Sequence, residues 1–163
     1  MQVKLEQRNY VHKIERGVHQ VHDEIDIETP AEHVFDVLTD FTAMSEWSTK
    51  WVGNEGPFEL DEICTCIYRI GKREMRFTHK IMELVPGRKF AWSGKTIAGM
   101  RDYHSFEMRP VTKTSCVLIQ EDLARGGLAL LIGKIVKNSN INDYTEFNAE
   151  IKARAEATWP SQN

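Results

Sequence analysis

The sequence predicts an α+β fold in which a meander of antiparallel strands is followed by one long helix. Three observations support this fold class: two short helical segments near the start, turn signals about every 8–14 residues in the middle, and a proline-free helical segment near the end. Because the strands come in one run with helices outside it, the pattern differs from the strand–helix alternation of a parallel α/β sheet.

The first predicted strand follows a polar N-terminal stretch. Residues 1–16 show only weak hydrophobic periodicity, so we interpret them as an N-terminal extension and assign residues 17–163 to a single domain. From Val21 to Glu28, the apolar residues Ile25 and Ile27 alternate with acidic ones. This alternation is typical of a strand with one buried face.

Two short helices are predicted next. Thr29 can cap the first helix, Pro30 suits its first position, and Glu32 can complete a capping box with Thr29. A new start at Asp40 or Thr42 predicts a separate second helix. The apolar residues of that second helix are Phe41, Met44 and Trp47.

The segment from Lys50 to Leu123 predicts five or six antiparallel strands. Glycine and proline turn signals separate its alternating runs. The clearest strands cover residues 63–70, 74–84, 90–95, 101–108 and 115–121. A hairpin that turns near Ala98-Gly99 would bring Trp92 opposite His104.

A long helix is predicted from Leu128 to Ala157, after Gly126-Gly127 ends the last strand. At 1.5 Å per residue it would be roughly 45 Å long, enough to cross a sheet. Its middle, residues 138–142, is unusually polar. One face keeps a spacing of three to four residues and carries Ile132, Val136, Asn140, Tyr144, Phe147, Ile151 and Ala155.

Composition narrows the function classes. A chain of 163 residues with a net charge of −3 has no concentrated basic character, so we do not expect it to bind nucleic acid. The three cysteines, Cys64, Cys66 and Cys116, are an odd number without a secretory signal, which favours buried free thiols in a reducing compartment.

The apolar run at residues 128–132, continued by Ile135 and Val136, is the longest in the chain. It falls well short of the roughly 20 residues that a spanning helix needs, so no stable membrane insertion is expected. A cytoplasmic location follows as the default, and peripheral membrane contact through this run is the alternative.

Taken in order, these motifs resemble the START/Bet v 1-like superfamily, also called SRPBCC, and its polyketide cyclase/dehydrase-type members in particular. The similarity covers about residues 20–157, and it rests on order and spacing because none of the motifs is diagnostic alone. The residues that carry it are Thr29-Pro30-Ala31-Glu32, Phe35, Asp36, Leu38, Asp40, Trp47, Pro86-Gly87-Arg88, Trp92, His104, Phe106, Met108, Pro110, Thr114 and residues 151–156.

The resemblance implies a helix-grip fold, in which a curved antiparallel sheet and two short helices wrap around the long C-terminal helix. It also implies a deep cavity for a hydrophobic or amphipathic small molecule and no cofactor. Members of the superfamily include aromatase/cyclases, lipid and sterol carriers, hormone receptors and chaperone co-factors. The fold therefore does not determine the function, which has to be argued from the site.

Strand alternation predicts which side chains face such a cavity. His79 and His104 fall on inward faces, with Trp92 between them, so the three side chains would converge on one wall. Histidine suits proton transfer near neutral pH, and we therefore predict His104, His79 and Tyr68 as candidate catalytic residues. The candidate ligand-binding residues are Trp47, Trp51, Phe77, Trp92, Phe106, Asn140 and Tyr144.

No metal site is predicted, since the two histidines lack a third placed ligand. Whether Arg69, Arg76 and Glu121 face the cavity depends on a register that the sequence does not determine, and a slip of one residue would reverse them.

Three functions are compatible with these residues. The first is an enzyme that cyclises, dehydrates or isomerises a polyketide-like or other polycyclic carbonyl compound by general acid/base chemistry. The second is a non-catalytic lipid or metabolite carrier, which a substitution such as Gly94→Trp would plug. The third is a protein-interaction module with a filled core. The ligand, the stereochemistry and the oligomeric state, including a homodimer, stay open.

Overall fold

Eight antiparallel strands form one sheet in the computed structural model, which describes residues 7–96 and 99–160. The strands are β1 (Arg8–Glu15), β2 (Val18–Ile27), β3 (Trp51–Glu55), β4 (Ile63–Ile70), β5 (Arg73–Val85), β6 (Lys89–Gly94), β7 (Arg101–Pro110) and β8 (Cys116–Arg125). The helices in the described residues are α1 (Ala31–Thr39), α2 (Met44–Trp47) and α3 (Ala129–Thr158).

The sheet order is β1-β2-β8-β7-β6-β5-β4-β3. From β3 to β8 each strand pairs with its neighbour in sequence, which confirms the predicted meander. Strand β2 closes the order by pairing with β8, so β1 and β3 are the two edges. The curved sheet and the long C-terminal helix together form the helix-grip fold.

Strand β1 lies within the stretch that the sequence analysis assigned to an N-terminal extension. It pairs with β2, and Arg8 forms an ion pair with Glu24 on that strand. Almost every residue of β1 is exposed, and a strand that is polar on both faces carries no hydrophobic alternation to detect.

Helix α1 begins without the predicted capping box. Its N-cap is Pro30, which makes no side-chain cap hydrogen bond, and the hydroxyl of Thr29 is buried with no hydrogen-bond partner among the described residues. The prediction that Thr29 caps the helix is therefore wrong. Packing fixes α1 instead, because its apolar face is buried at Ala31, Val34, Phe35 and Leu38.

The two halves of α3 differ in how they are held. In the second half, Phe147, Ile151 and Ala155 are buried, as the predicted face requires. Hydrogen bonds add to this packing, since Asn148 Nδ2 donates to Asp23 Oδ1 at 2.8 Å and Lys152 Nζ donates to the carbonyl oxygen of Asp26 at 2.6 Å.

The first half of α3 borders the cavity described below and exposes leucine and isoleucine side chains to solvent. Ile132 and Val136 pack against a small separate cluster that contains Met100, Ala124 and Ala129. Among the described residues, no helix combines the length and apolarity needed to cross a bilayer.

Aromatic side chains dominate the core between the sheet and α3. Trp51, Trp92, Phe90 and Phe106 are completely or almost completely buried. The rings of Trp51 and Trp92 meet edge to face with their centroids 5.0 Å apart, which is a favourable arrangement for aromatic pairs. All three cysteines are buried and free, as predicted.

Candidate functional site

A cavity of about 280 Å³ lies between the inner face of the sheet and α3. Its apolar wall includes aromatic side chains from β3, β5, β7 and α3. Its polar wall comes from neighbouring strands and from the middle of α3. The residues that line it are Lys50, Trp51, Tyr68, Arg69, Phe77, His79, Thr96, Asp102, His104, Phe106, Gln120, Asp122, Ala124, Val136, Asn140, Asp143, Tyr144 and Phe147.

The first polar pair joins His79 on β5 to Asp102 on β7. His79 Nε2 lies 3.3 Å from Asp102 Oδ2, and both side chains are more than nine-tenths buried. The other carboxylate oxygen accepts a hydrogen bond of 2.6 Å from the backbone N–H of Gly94. The lack of a side chain at Gly94 permits this approach, since a Cβ there would lie 2.7 Å from His79 Cδ2.

Both nitrogens of His79 take part in the hydrogen bonding of this pair. His79 Nδ1 donates to the carbonyl oxygen of Phe77 at 3.1 Å, because a carbonyl can only accept. Burial raises the pKa of Asp102, but the hydrogen bond and charge of His79 and the Gly94 N–H outweigh burial, so the pKa is lowered overall. His79 thus lies between two acceptors, with Nδ1 facing the Phe77 carbonyl oxygen and Nε2 facing the Asp102 carboxylate.

The second polar pair joins His104 on β7 to Gln120 on β8. The Gln120 Nε2 atom lies 2.8 Å from His104 Nε2, so the amide donates and the imidazole accepts. Gln120 Oε1 is buried and has no partner among the described residues. A half-turn of this amide would place Oε1 against His104 Nε2, which would then have to carry the proton.

Two tyrosine hydroxyls complete the polar wall. Tyr144 on α3 donates to Asp122 Oδ2 at 2.5 Å. Burial, then the charge of Asp122 and this hydrogen bond, raise the pKa of Tyr144 well above its usual value. Burial and then the charges of Cys66, Asp102 and Asp122 do the same for the pKa of Tyr68. Both phenols are therefore donors at neutral pH, not bases.

Trp92 stands directly opposite His104 in the β6–β7 register, as the hairpin argument predicted. Its ring centroid lies 5.4 Å from that of His79 and 5.5 Å from that of His104. It does not line the cavity, however, and is completely buried behind the two histidines. Trp92 thus supports the polar wall from behind, and the expected direct contact between Trp92 and a ligand is not what the geometry offers.

Of the other predicted site residues, all but Trp47 line the cavity. Trp47 does not line the cavity: it stacks against Phe147 with ring centroids 6.1 Å apart and borders a separate depression between α1, α2 and the end of α3. The predicted residues that do line the cavity are His79, His104, Tyr68, Trp51, Phe77, Phe106, Asn140 and Tyr144.

The register also places the three charged residues whose orientation the sequence left open. Arg69 lines the cavity with its side chain 43% exposed, so it lies at the rim. Arg76 pairs with Glu55 at 3.2 Å, and both side chains are more than half exposed. Glu121 accepts from His22 Nδ1 at 2.8 Å and does not line the cavity.

The sequence analysis missed six polar cavity residues: Lys50, Thr96, Asp143 and, on β7 and β8, Asp102, Gln120 and Asp122. The last three form the hydrogen bonds described above. Strand alternation could have found them, because Asp102 shares its strand face with His104, and Gln120 and Asp122 share one with Leu118. In the described part of the chain, no cluster of three or more histidine, cysteine or acidic side chains has a geometry that could hold a metal ion.

Comparison with known proteins now identifies the family. Residues 18–156 match the family model described as polyketide cyclase / dehydrase and lipid transport. The chain belongs to this family. No curated protein matches the sequence.

Solved structures share the fold of this family member at low sequence identity. The START superfamily protein from Mycobacterium smegmatis has a TM-score of 0.68 at 15% identity, with 85% of this chain and 97% of that one covered. The Zhui aromatase/cyclase from Streptomyces sp. R1128 has a TM-score of 0.64 at 15% identity, covering 88% and 97%.

The di-domain aromatase/cyclase BexL from the BE-7585A biosynthetic pathway has a TM-score of 0.72 at 14% identity over 86% of this chain. The chain spans about half of that protein, since 48% of BexL is covered. At these identities the structural matches support the fold alone.

Proposed function

We propose that this chain binds a compact hydrophobic carbonyl compound in the cavity and catalyses a cofactor-free cyclisation, dehydration or isomerisation by general acid/base chemistry. The observation that carries the proposal is the pairing of two buried histidines with different partners on one cavity wall. His79 faces a carboxylate, and His104 faces an amide. Titratable groups held in unlike environments are well suited to separate acid and base roles.

In this mechanism His104 is the base. Its neutral imidazole removes a proton from the carbon next to the carbonyl of the ligand. The Gln120 amide decides which lone pair is free to act as the base: with its N–H toward His104 it occupies the Nε2 lone pair, and after a half-turn Nε2 carries the proton and Nδ1 holds the free lone pair. Gln120 is therefore a positioning residue for the base.

The acid side of the mechanism stabilises the enolate oxygen. Tyr68 keeps its proton at neutral pH and can donate a hydrogen bond to the carbonyl oxygen of the ligand. His79 stands on the same wall with Nε2 directed at Asp102, so it shapes the polar surface that the ligand meets. As charge develops on the oxygen, the Tyr68 hydroxyl stabilises it, and the proton taken by His104 returns to carbon at the new position.

Cavity size favours a compact ligand. Small-molecule pockets usually span about 300–1,000 Å³, and a cavity of about 280 Å³ lies at the lower end. The aromatic side chains Trp51, Phe77 and Phe106 offer flat apolar contacts to a ring system of two or three rings. A longer polycyclic substrate would have to extend past the rim near Arg69.

The test uses 2-tetralone, a bicyclic ketone with exchangeable hydrogens beside its carbonyl. We expect the protein to accelerate exchange of these hydrogens for deuterium in D₂O, followed by proton NMR. His104→Gln should reduce the acceleration by at least about 100-fold, since it removes the general base but leaves an amide for Gln120 to contact. The matched control His33→Gln changes an α1 histidine outside the cavity and should leave the rate unchanged.

A carrier is the second candidate, supported by the aromatic part of the cavity wall. It predicts that 2-tetralone binds, seen as quenching of tryptophan fluorescence, while exchange stays at the uncatalysed rate. That result would refute the enzyme. Absence of binding would count against both the enzyme and the carrier and would favour the protein-interaction module. The cavity argues against that module, which predicts a filled core.

Gly94→Trp is not a suitable plug for these experiments. Gly94 packs against the carbonyl oxygen of Thr78 and the His79 ring, so a large side chain there would displace backbone. Ala124→Phe is the better choice, since Ala124 lines the cavity directly.

A further inference from the structure

An exposed apolar cluster covers the first two turns of α3. Leu131 is 72% exposed and Ile135 is 68% exposed, with Leu130 and Leu128 about half exposed beside them. Single exposed leucines are ordinary on protein surfaces, but four large apolar side chains within eight consecutive residues form a patch. Contiguous exposed apolar patches of this kind often mark interaction sites for proteins or membranes.

Three chain segments meet at this patch. A Cβ added at Gly17, in the β1–β2 turn, would lie 3.7 Å from Leu130 Cβ. One added at Gly99, before β7, would lie 3.8 Å from Gly127 Cα. The patch is therefore surrounded by the β1–β2 turn, the segment before β7 and the β8–α3 loop.

These segments carry six exposed basic residues, none of which forms an ion pair among the described residues. Arg101 and Arg125 stand directly opposite each other on β7 and β8, and Lys95 bridges to Arg101 on the other side. Like charges placed opposite one another are unfavourable unless an anion compensates them. The six residues are Lys13, Arg16, Lys95, Arg101, Arg125 and Lys134.

The rest of the surface shows a different charge pattern. Many basic residues elsewhere, such as Lys80, Arg88 and Lys89, pair with a carboxylate. Lys72, Arg73 and Lys113 form no ion pair among the described residues, but they lie at the β4–β5 and β7–β8 turns, which are not among the segments that surround this patch. From Leu123 to Asn142 the sequence has no aspartate or glutamate, although the whole chain carries a net charge of −3. Glu15 is the exposed carboxylate closest in sequence to the β1–β2 turn. This end of the molecule is locally cationic on a globally acidic protein.

We infer that this end of the molecule, which we call the α3 tip (Leu128, Leu130, Leu131 and Ile135 with the six basic residues), docks on the surface of an anionic lipid bilayer. Exposed leucine and isoleucine side chains suit burial at the boundary between headgroups and acyl chains, and a basic rim suits anionic headgroups. Any other partner, either an acidic protein or a second copy of this chain, would have to compensate the positive charge of the same six basic residues.

The cavity lies close to the proposed docking surface. Thr96, Ala124 and Val136 line the cavity at the same end, next to the α3 tip. A hydrophobic molecule dissolved in the bilayer would therefore meet the protein beside its cavity. The inference goes beyond the proposed function, because bilayer docking does not require catalysis.

The test is co-sedimentation of the full chain with vesicles of phosphatidylcholine alone or with about one in four molecules replaced by phosphatidylglycerol. We expect binding to the anionic vesicles only, weakened by added salt because screening reduces attraction between charges at the surface. Two pairs of substitutions separate the apolar contribution from the charge contribution.

Leu131→Ser with Ile135→Ser should reduce binding at least tenfold. Arg125→Ala with Lys134→Ala should reduce it about thirtyfold, at roughly fivefold for each basic residue. The matched controls are Val111→Ser, 59% exposed, and Lys113→Ala, both in the β7–β8 turn at the opposite end of β8. They should bind as the wild type does, with all variants melting at the wild-type temperature.

Equal binding to neutral and anionic vesicles, or no binding to either, would overturn the inference. So would vesicle binding that survives both α3-tip variants. Sedimentation equilibrium tests the remaining alternative, a second copy of the chain. If the wild type is a dimer and the variant Leu131→Ser with Ile135→Ser is a monomer, this face belongs to the dimer interface and not to a bilayer.

Discussion

Two regions of the cavity wall each hold a buried histidine, and the two histidines have different hydrogen-bond partners. On the β5–β7 side, His79 is matched by a carboxylate, and Asp102 is in turn held by the Gly94 N–H. On the β7–β8 side, His104 is matched by an uncharged amide. The partner, not the burial, distinguishes the two histidines, because both residues are 5% exposed. One wall therefore presents one imidazole held by a carboxylate and another held by an amide.

The largest effect should come from removing the charged partner. Asp102→Ala leaves both His79 Nε2 and the Gly94 N–H without an acceptor in a buried site. We expect the free energy of unfolding to fall by about 3 kcal/mol in urea denaturation at neutral pH. Glu55→Ala, which removes the half-exposed partner of Arg76, is the control and should cost less than about 1 kcal/mol.

The same variant has a defined pH signature. The pKa of Asp102 is lowered from its ordinary 3.8, mainly by His79 acting against burial. Its ionised form therefore stabilises the wild type above that value, and the contribution is lost as the pH falls through the folded-state pKa. As the pH falls from about 5 through 3.8 and below, the wild type should lose more stability than Asp102→Ala. Parallel curves would contradict the assignment of the charged pair.

A second, smaller effect should follow from crowding only one of the two histidines. In Gly94→Ala the new Cβ would lie 2.6 Å from the Thr78 carbonyl oxygen and 2.7 Å from His79 Cδ2. We expect a loss of about 2 kcal/mol in unfolding free energy and a shifted His79 ring signal in NMR, with the His104 signal unchanged. Gly53→Ala is the control, since its Cβ would meet only Ile67 Cδ1 at 3.9 Å.

Exchanging the two partners should have the smallest effect on stability but a clear effect on the NMR signals of the imidazoles. Asp102→Asn gives His79 an amide, and Gln120→Glu gives His104 a carboxylate. Each should cost about 1 kcal/mol, because a hydrogen bond of similar shape remains. Nitrogen-15 NMR of the imidazoles at neutral pH should show changed nitrogen signals for His79 in the first variant and for His104 in the second. Unchanged imidazole signals would mean that the surroundings, not the partners, set the protonation.

Much of the sheet was predictable because its strands alternate. Strand β4 was predicted at its observed bounds, and the Trp92–His104 register followed from hairpin geometry alone. Strand β1 was not, because it is exposed on both faces, and Trp47 was misplaced because spacing on a helix does not say which of two grooves it borders. The catalytic candidates were found by residue type and strand alternation, whereas the contacts of Asp102 with His79 and of Gln120 with His104 depend on the registers of β5 to β8, which alternation along one strand does not give.

The unequal attachment of α3 has a mechanical consequence. Its second half is fixed to β2 by buried apolar packing and by the hydrogen bonds of Asn148 and Lys152. Its first half carries the cavity-facing Val136 and Asn140. That half packs in the small cluster of Met100, Ala124 and Ala129 and not in the main core. We therefore expect a ligand larger than the cavity to displace this half of the helix first, while Phe147 and the sheet beneath it stay in place.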